Sequence, residues 1–229
     1  MIPSLVKILK RLKFVVYDKP YQLNIFGIRS PETNSNKFDD ELHVFFRDTQ
    51  LNWKHFKYSI TTDPGTYWLL NPLQVLGTAI LKAGQYINAY RIGLHKGQYK
   101  ALVQNKAVTV IRDYDRNAVL DFGNGKEDTG MFGVNIHRSS ATGSSANVDK
   151  WSAGCQVFKN INDFNQFLSL CEMHRARYGN LFTYSLLDLR MIKRTTRRQL
   201  AYLGGTLIGL AGILFLAINY KNKQYGKAN

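Results

Sequence analysis

The chain has 229 residues, 45% of them hydrophobic and 13% aromatic, which is enough to fill one substantial core. Its net charge of +15 is held mainly at the ends, with +4 on residues 1–20, +8 on residues 190–229 and only +3 on residues 21–189. That distribution fits attraction to anionic membranes or wall polymers and argues against a basic groove tracking phosphates, so no nucleic-acid partner is expected.

Residues 1–20 open with SLVKILKRLKFVVY, which places Leu5, Ile8, Leu9 and Leu12 on one helical face and Lys7, Lys10 and Arg11 largely on others. The interrupting lysines rule out the apolar core of a secretory signal. Two readings stand side by side: contact with a membrane surface, or packing of the helix against its own domain.

From Tyr21 the pattern changes to short alternating runs. Strands are predicted at YQLNIFGIR, ELHVFFRD, the segment holding Trp53, Phe56 and Tyr58, KALVQ, AVTVIRD, MFGVNIH and LFTYSLL. TTDPG, HKGQ and FGNGKEDTG read as turns between them. In DFNQFLSLCEMH, Phe164, Phe167, Leu168 and Cys171 follow helical spacing, which predicts a helix with a buried cysteine. Many short strands and few helices make the domain mainly β with flanking helices (α+β), arranged as a β-sandwich.

The chemistry concentrates in MFGVNIHRSSATGSSANVDKWSAGCQVF, residues 131–158. It holds His137, Cys155 and a loop rich in Gly, Ser and Ala. A nucleophilic thiol needs a base or cation, backbone N–H groups for the oxyanion, and small neighbours that admit a substrate. Cys171 is the only other cysteine. A bridge between the two would consume the nucleophile, so both are expected as free thiols.

His137 is followed by fourteen residues and then Ser152-Ala153-Gly154-Cys155. This spaced set resembles the catalytic signature of the L,D-transpeptidase (YkuD-like) family: His, fourteen to seventeen residues, Ser or Thr, His, Gly, Cys. The resemblance implies Cys155 as nucleophile, His137 as its base, and the backbone carbonyl of Arg138 as the group that orients the imidazole. It implies an oxyanion hole of N–H groups from Ala153, Gly154 and Cys155. Ala153 stands where the family usually has a second histidine, and Gln156-Val157-Phe158 replaces an apolar residue followed by Arg or Asn. Substrate choice, and hydrolysis against transfer, therefore stay open. Ser152, Asp63 in TTDPG, His95 in GLHKGQYK and Trp151 are candidates for lining the substrate site. No HExxH, CxxC or glycine-rich nucleotide motif occurs, so no metal or cofactor is expected.

Leu200–Ile218 is the second strong signal, nineteen residues without a charge. As a helix it would be about 28 Å long, the thickness of a bilayer core. Ala201, Gly205 and Gly209 form a small-residue stripe that would let two such helices pair as a homodimer. Lys193, Arg194, Arg197 and Arg198 on one side against Lys221, Lys223 and Lys227 on the other leave the orientation open.

The predicted organisation is a basic amphipathic segment (1–20), a catalytic domain (21–190), a basic juxtamembrane segment (191–199), a transmembrane helix (200–218) and a basic tail (219–229). The predicted function is that of a membrane-anchored cysteine enzyme. It would cleave or transfer peptidoglycan stem peptides through a thioester acyl-enzyme, in the setting of a phage or virion lytic protein. The arrangement of TTDPGTYWL, GLHKGQYKALVQ, VTVIRD, NIHRSS and WSAGCQVF also resembles that of phage-borne hydrolase-like proteins. The second reading is a non-catalytic structural or cell-wall-binding protein of a membrane or membrane-containing virion.

Overall fold

Strands that are apolar on one face must cover that face, and here most of them do so by curling into one sheet. A computed structural model describes residues 2–123 and 125–191. The elements run α1 (Ile2–Arg11), β1 (Asn24–Arg29), β2 (Asp40–Arg47), β3 (Trp53–Thr61), α2 (Thr66–Leu70), β4 (Thr78–Leu81), β5 (Gly84–His95), β6 (Tyr99–Gln104), β7 (Val108–Asp113), β8 (Glu127–Gly130), β9 (Ile136–Arg138), β10 (Gln156–Phe158), α3 (Ile161–Tyr178) and β11 (Phe182–Asp188). Eight strands close into a barrel in the order β1-β11-β5-β6-β9-β10-β3-β2, and β4-β7-β8 form a separate three-stranded sheet. The mainly β class with a few helices agrees with the sequence reading. The expected two-sheet sandwich is corrected to a closed barrel.

The cause of closure is visible in β5, a strand of twelve residues. Its first half pairs with β11 from Gly84↔Leu186 to Tyr90↔Phe182, with a register shift between Phe182 and Tyr184. Its second half pairs with β6 from Tyr90↔Gln104 to His95↔Tyr99. A long strand that changes partners half-way turns the sheet back on itself, so no second sheet is needed to cover its apolar face. Gly27 on β1 allows this closure, because a Cβ there would overlap the Tyr184 hydroxyl.

The core cluster includes Leu42, Val44, Tyr90, Leu102, Ile136 and Tyr184, all buried. Helix α3 adds Phe164, Phe167 and Cys171 to it. Phe167 lies 5.0 Å from Phe158 and 6.5 Å from Tyr58 between ring centroids. Each such buried ring contributes about 1.5–3 kcal/mol of transfer free energy. The helix begins where Asn160 accepts the N–H groups of Asn162 and Asp163 and ends at Gly179. Cys171 is buried and free, as the helical spacing predicted.

Helix α1 buries Leu5 and Leu9 and leaves Lys7, Lys10 and Arg11 exposed. Leu5 and Leu9 are thus covered by the domain while Leu12 is 44% exposed, so packing accounts for part of the apolar stripe. Met1–Leu187 form one compact unit. The predicted transmembrane helix at 200–218, the basic residues between Met191 and it, the small-residue stripe and the tail lie outside the described residues. Among the described residues, no helix is long and apolar enough to cross a membrane.

Candidate active site

Strands β9 and β10 pair in parallel with Gln156↔Ile136, Val157↔His137 and Phe158↔Arg138. A parallel pair needs a long crossover, and the Gly/Ser/Ala-rich stretch 139–155 provides it. Register partners project from the same side of a ladder, and so do residues two apart on one strand. Cys155 and Asn135, each two residues upstream of a member of the Val157↔His137 pair, are therefore brought to the same end of the ladder. The Asn135 N–H points at Cys155 Sγ at 3.4 Å, and the Gln156 N–H donates to the Asn135 carbonyl at 2.9 Å.

His137 is held through its Nδ1 edge. Its Nδ1 lies 2.7 Å from the Arg138 carbonyl, which can only accept, so Nδ1 carries the proton and Nε2 is left as a bare lone pair. The Tyr99 hydroxyl, 3.3 Å from Nδ1, donates to the same carbonyl at 3.4 Å. Nε2 is buried and has no hydrogen-bond partner among the described residues. Burial, the adjacent His95 and the cations of Lys96 and Arg138 push the imidazole down to about 3, against the Arg138 hydrogen bond. His137 is thus neutral at physiological pH.

Cys155 is half-buried, and its thiol donates to the Gly133 carbonyl at 3.4 Å. Burial pushes the thiol up to about 11, opposed by the Asn135 N–H and by Lys96. The resting thiol is therefore protonated. A neutral imidazole gives no ionic support to a thiolate, so the resting pair is thiol and imidazole, both uncharged.

His95, at the end of β5, stacks on His137 with centroids 4.0 Å apart. Its Nδ1 is 3.1 Å from Asn135 Nδ2, which donates. Burial, Lys96 and Arg138 lower it to about 4, so it is also neutral. Asn135 therefore joins the thiol to the second imidazole. Sequence reasoning had no signal for Asn135, because an asparagine two residues before a histidine means nothing until the strands are paired.

The other predicted residues fall into two groups. Gly154 has φ 119°, and a Cβ there would overlap the Ala79 carbonyl of β4, so only glycine lets the loop lie this close to the second sheet. Its N–H donates to Ser152 Oγ at 3.2 Å and is occupied. With the Gly154 N–H committed to Ser152, the N–H groups of Ala153 and Cys155 stay as the candidates for the expected oxyanion hole. Ser152 is fully buried, donates to the Cys155 carbonyl at 2.8 Å, and accepts the Gly65 N–H on its own carbonyl at 2.9 Å. It braces the nucleophile's turn and does not face a substrate, which corrects its assignment.

Asp63 is corrected as well. Its carboxylate pairs with Nε of the fully buried Arg29 at 2.8 Å. Trp151 is 44% exposed beside the loop. The positions after the cysteine are structural, since Gln156 is fully buried and accepts the Tyr184 hydroxyl at 2.8 Å. His174, near the end of α3, is buried, and its Nδ1 accepts the Leu23 N–H at 3.0 Å. Among the described residues, no group of three or more His, Cys, Asp or Glu is arranged to hold a metal.

A thiol and an imidazole with a bare lone pair are groups that can run acyl transfer. No family model, curated protein or solved structure matches this chain.

Proposed function

We propose that the protein is a cysteine enzyme of the L,D-transpeptidase type, acting on peptidoglycan stem peptides and anchored to a membrane by residues 200–218. The observation that carries the reading is the Nδ1–H bond of His137 to the Arg138 carbonyl. It fixes the one tautomer whose Nε2 can take a proton from Cys155. In the proposed cycle the thiol leaves the Gly133 carbonyl and gives its proton to Nε2 as sulfur attacks a peptide carbonyl. The Ala153 and Cys155 N–H groups receive the oxyanion. Protonated His137 then returns its proton to the leaving amine, and a thioester remains on Cys155. Water completes hydrolysis, or an amine completes transfer. Because the resting pair is uncharged, proton transfer accompanies attack and does not precede it.

The fold reading that goes with this function is an L,D-transpeptidase-like catalytic domain with a phage or virion lytic role. Detergent-solubilised full-length protein and its Cys155→Ala and His137→Ala variants would be incubated with purified muropeptides and the products read by mass spectrometry. Wild type is expected to yield new products and Cys155→Ala none. Identical profiles would remove the enzyme assignment.

The second reading is a structural or cell-wall-binding protein of a membrane or membrane-containing virion. The protonated thiol bonded to Gly133 favours it. Retention on insoluble peptidoglycan with no change in muropeptide composition is its signature.

A further inference from the structure

Surface turns are dominated by Gly, Asn, Asp, Pro and Ser, whose backbone and side chains suit a bend in water. The segment between Asp63 and Lys82 departs from that rule. Residues 64–81 carry no charge, and within them the chain after α2 forms an exposed loop. Gln74-Val75-Leu76-Gly77 is a β-turn closed by the Gly77 N–H to the Gln74 carbonyl at 3.0 Å, so Val75 and Leu76 are its two central residues. Val75 is 96% exposed and Leu73 70%, the two most exposed large hydrophobic residues among those described, and Leu70 and Leu76 are exposed with them.

The root of the loop is fixed. Leu69 packs with Ile80 and Leu120 in a small core, the Thr78 hydroxyl donates to the Trp68 carbonyl, and Arg112 Nη1 donates to the Gly77 carbonyl at 3.4 Å. Both ends are pinned while the aliphatic tip stays in solvent. Aromatic and cationic groups stand at that root. The Tyr67 and Trp68 rings meet edge to face with centroids 4.9 Å apart, Trp68 Nε1 donates to the Lys150 carbonyl at 3.1 Å, and Lys150 Nζ lies 4.2 Å from the Tyr67 ring centroid. Trp151, the next residue, is exposed. An aliphatic tip, then Tyr and Trp, then a cation is the depth order of a bilayer interface, from acyl chains through the level where aromatic rings lie to the phosphates.

We propose that the loop at 70–76 is a membrane-docking tip, with Leu70, Leu73, Val75 and Leu76 entering the acyl boundary of a lipid bilayer and Tyr67, Trp151 and Lys150 at headgroup level. This inference rests on the membrane-anchor reading of residues 200–218 and goes beyond it, since an anchor alone only limits how far the domain strays. Eight residues, 192–199, separate Met191 from Leu200, so at about 3.3–3.6 Å per residue Met191 stays within about 30 Å of the anchor in any conformation. Lys193, Arg194, Arg197 and Arg198 lie among those eight, and the chain carries +15, which favours approach to anionic lipid. A second copy or another protein would need a concave apolar seat for a pointed aliphatic turn. A fluid bilayer needs none. The tip is also tied to the candidate active site, because the Gly65 N–H donates to the Ser152 carbonyl at 2.9 Å. Docking would hold the Cys155 turn at the membrane surface and restrict its acyl donors to peptides close to that surface.

The test follows a fluorescent probe at the tip. Full-length Val75→Cys protein, made with Cys155→Ala so that the buried Cys171 is the only other thiol, is labelled with a nitrobenzoxadiazole group and reconstituted into vesicles of phosphatidylethanolamine and phosphatidylglycerol. Thr49→Cys, in the exposed turn at the far end of β3, is labelled in the same way as the reference. The probe at 75 is expected to shift to the blue and to be quenched by lipids carrying a nitroxide on the acyl chain, with neither change at 49. Leu73→Asp, in an exposed loop and clear of the core, should return the probe at 75 to its emission in water. Carbonate extraction of the same vesicles reads the anchor separately. A probe at 75 that stays water-like in protein resisting carbonate overturns the tip and leaves the anchor reading standing. Release by carbonate together with a water-like probe overturns both. A blue shift that grows with protein concentration and is not quenched by the nitroxide lipids assigns the tip to a second copy and overturns the proposal.

Discussion

His95 lies almost flat on His137, with ring centroids 4.0 Å apart and planes 24° apart. Neither ring can take a proton without placing a charge against the other in a site already flanked by Lys96 and Arg138. The stack therefore holds both imidazoles neutral and keeps Nε2 of His137 available as an acceptor.

Removing the upper ring should reveal this coupling. In His95→Ala, water reaches His137, and its pKa is expected to rise from about 3 towards the ordinary histidine value. Titration of the His137 ring nitrogens by NMR checks it. An unmoved value would show that the stack contributes nothing to the neutral state.

The thiol makes a sharper prediction. With Cys155 pushed up to about 11, alkylation at this residue should gain about tenfold per pH unit through neutral and mildly alkaline pH, because only the thiolate reacts. A rate that levels off below pH 8 would indicate an ion-paired thiolate and overturn the uncharged resting pair.

Gly154→Ala is expected to be severe. The new methyl would meet the Ala79 carbonyl, and φ 119° is disfavoured for any residue with a Cβ. The loop must withdraw from β4, at a cost of about 2–4 kcal/mol of stability, and carry Cys155 with it. Thermal unfolding and Cys155 alkylation should change together. Ser152→Ala removes the brace on the Cys155 carbonyl and should cost about 1–3 kcal/mol.

The buried pair behind the site predicts a pH dependence of stability. Asp40 accepts N–H groups from Ser30 at 2.7 Å and Thr62 at 2.6 Å, yet burial and the nearby Asp63 raise its pKa to about 8. A carboxyl raised on folding contributes stability that is fully present below about 4 and is lost as pH rises through about 8. The loss approaches about 1.4 kcal/mol per pH unit for one proton. His95 and His137 act in the opposite sense: their neutral forms support the fold above about 6.5, and that support is lost as pH falls through 4 and 3. Denaturant unfolding from pH 5 to 9 should therefore show wild type losing stability relative to Asp40→Asn, which cannot ionise, as pH rises. Parallel curves would sink the assignment.

Much of this protein was legible in its order of residues. Strand positions such as 24–29, 40–47 and 108–113 follow from alternation, and the helix at 161–178 follows from the spacing of Phe164, Phe167 and Cys171. Cys155 and His137 stood out by residue type and separation, and the Arg138 carbonyl came in only as what the family resemblance implied. Local chemistry sets these features, so local sequence carries them. The predicted turn at 122–130 instead contains β8, and β5, with no clean alternation, became the longest strand. Only the folded chain decided that the sheet closes on itself, that Asp63 and Ser152 are consumed by buried partners, and that His95 and Asn135 complete the site. Those outcomes depend on pairing between strands far apart in sequence. The protonation of Cys155 and His137 was decided there too, because desolvation belongs to the packed site and to no single residue in it.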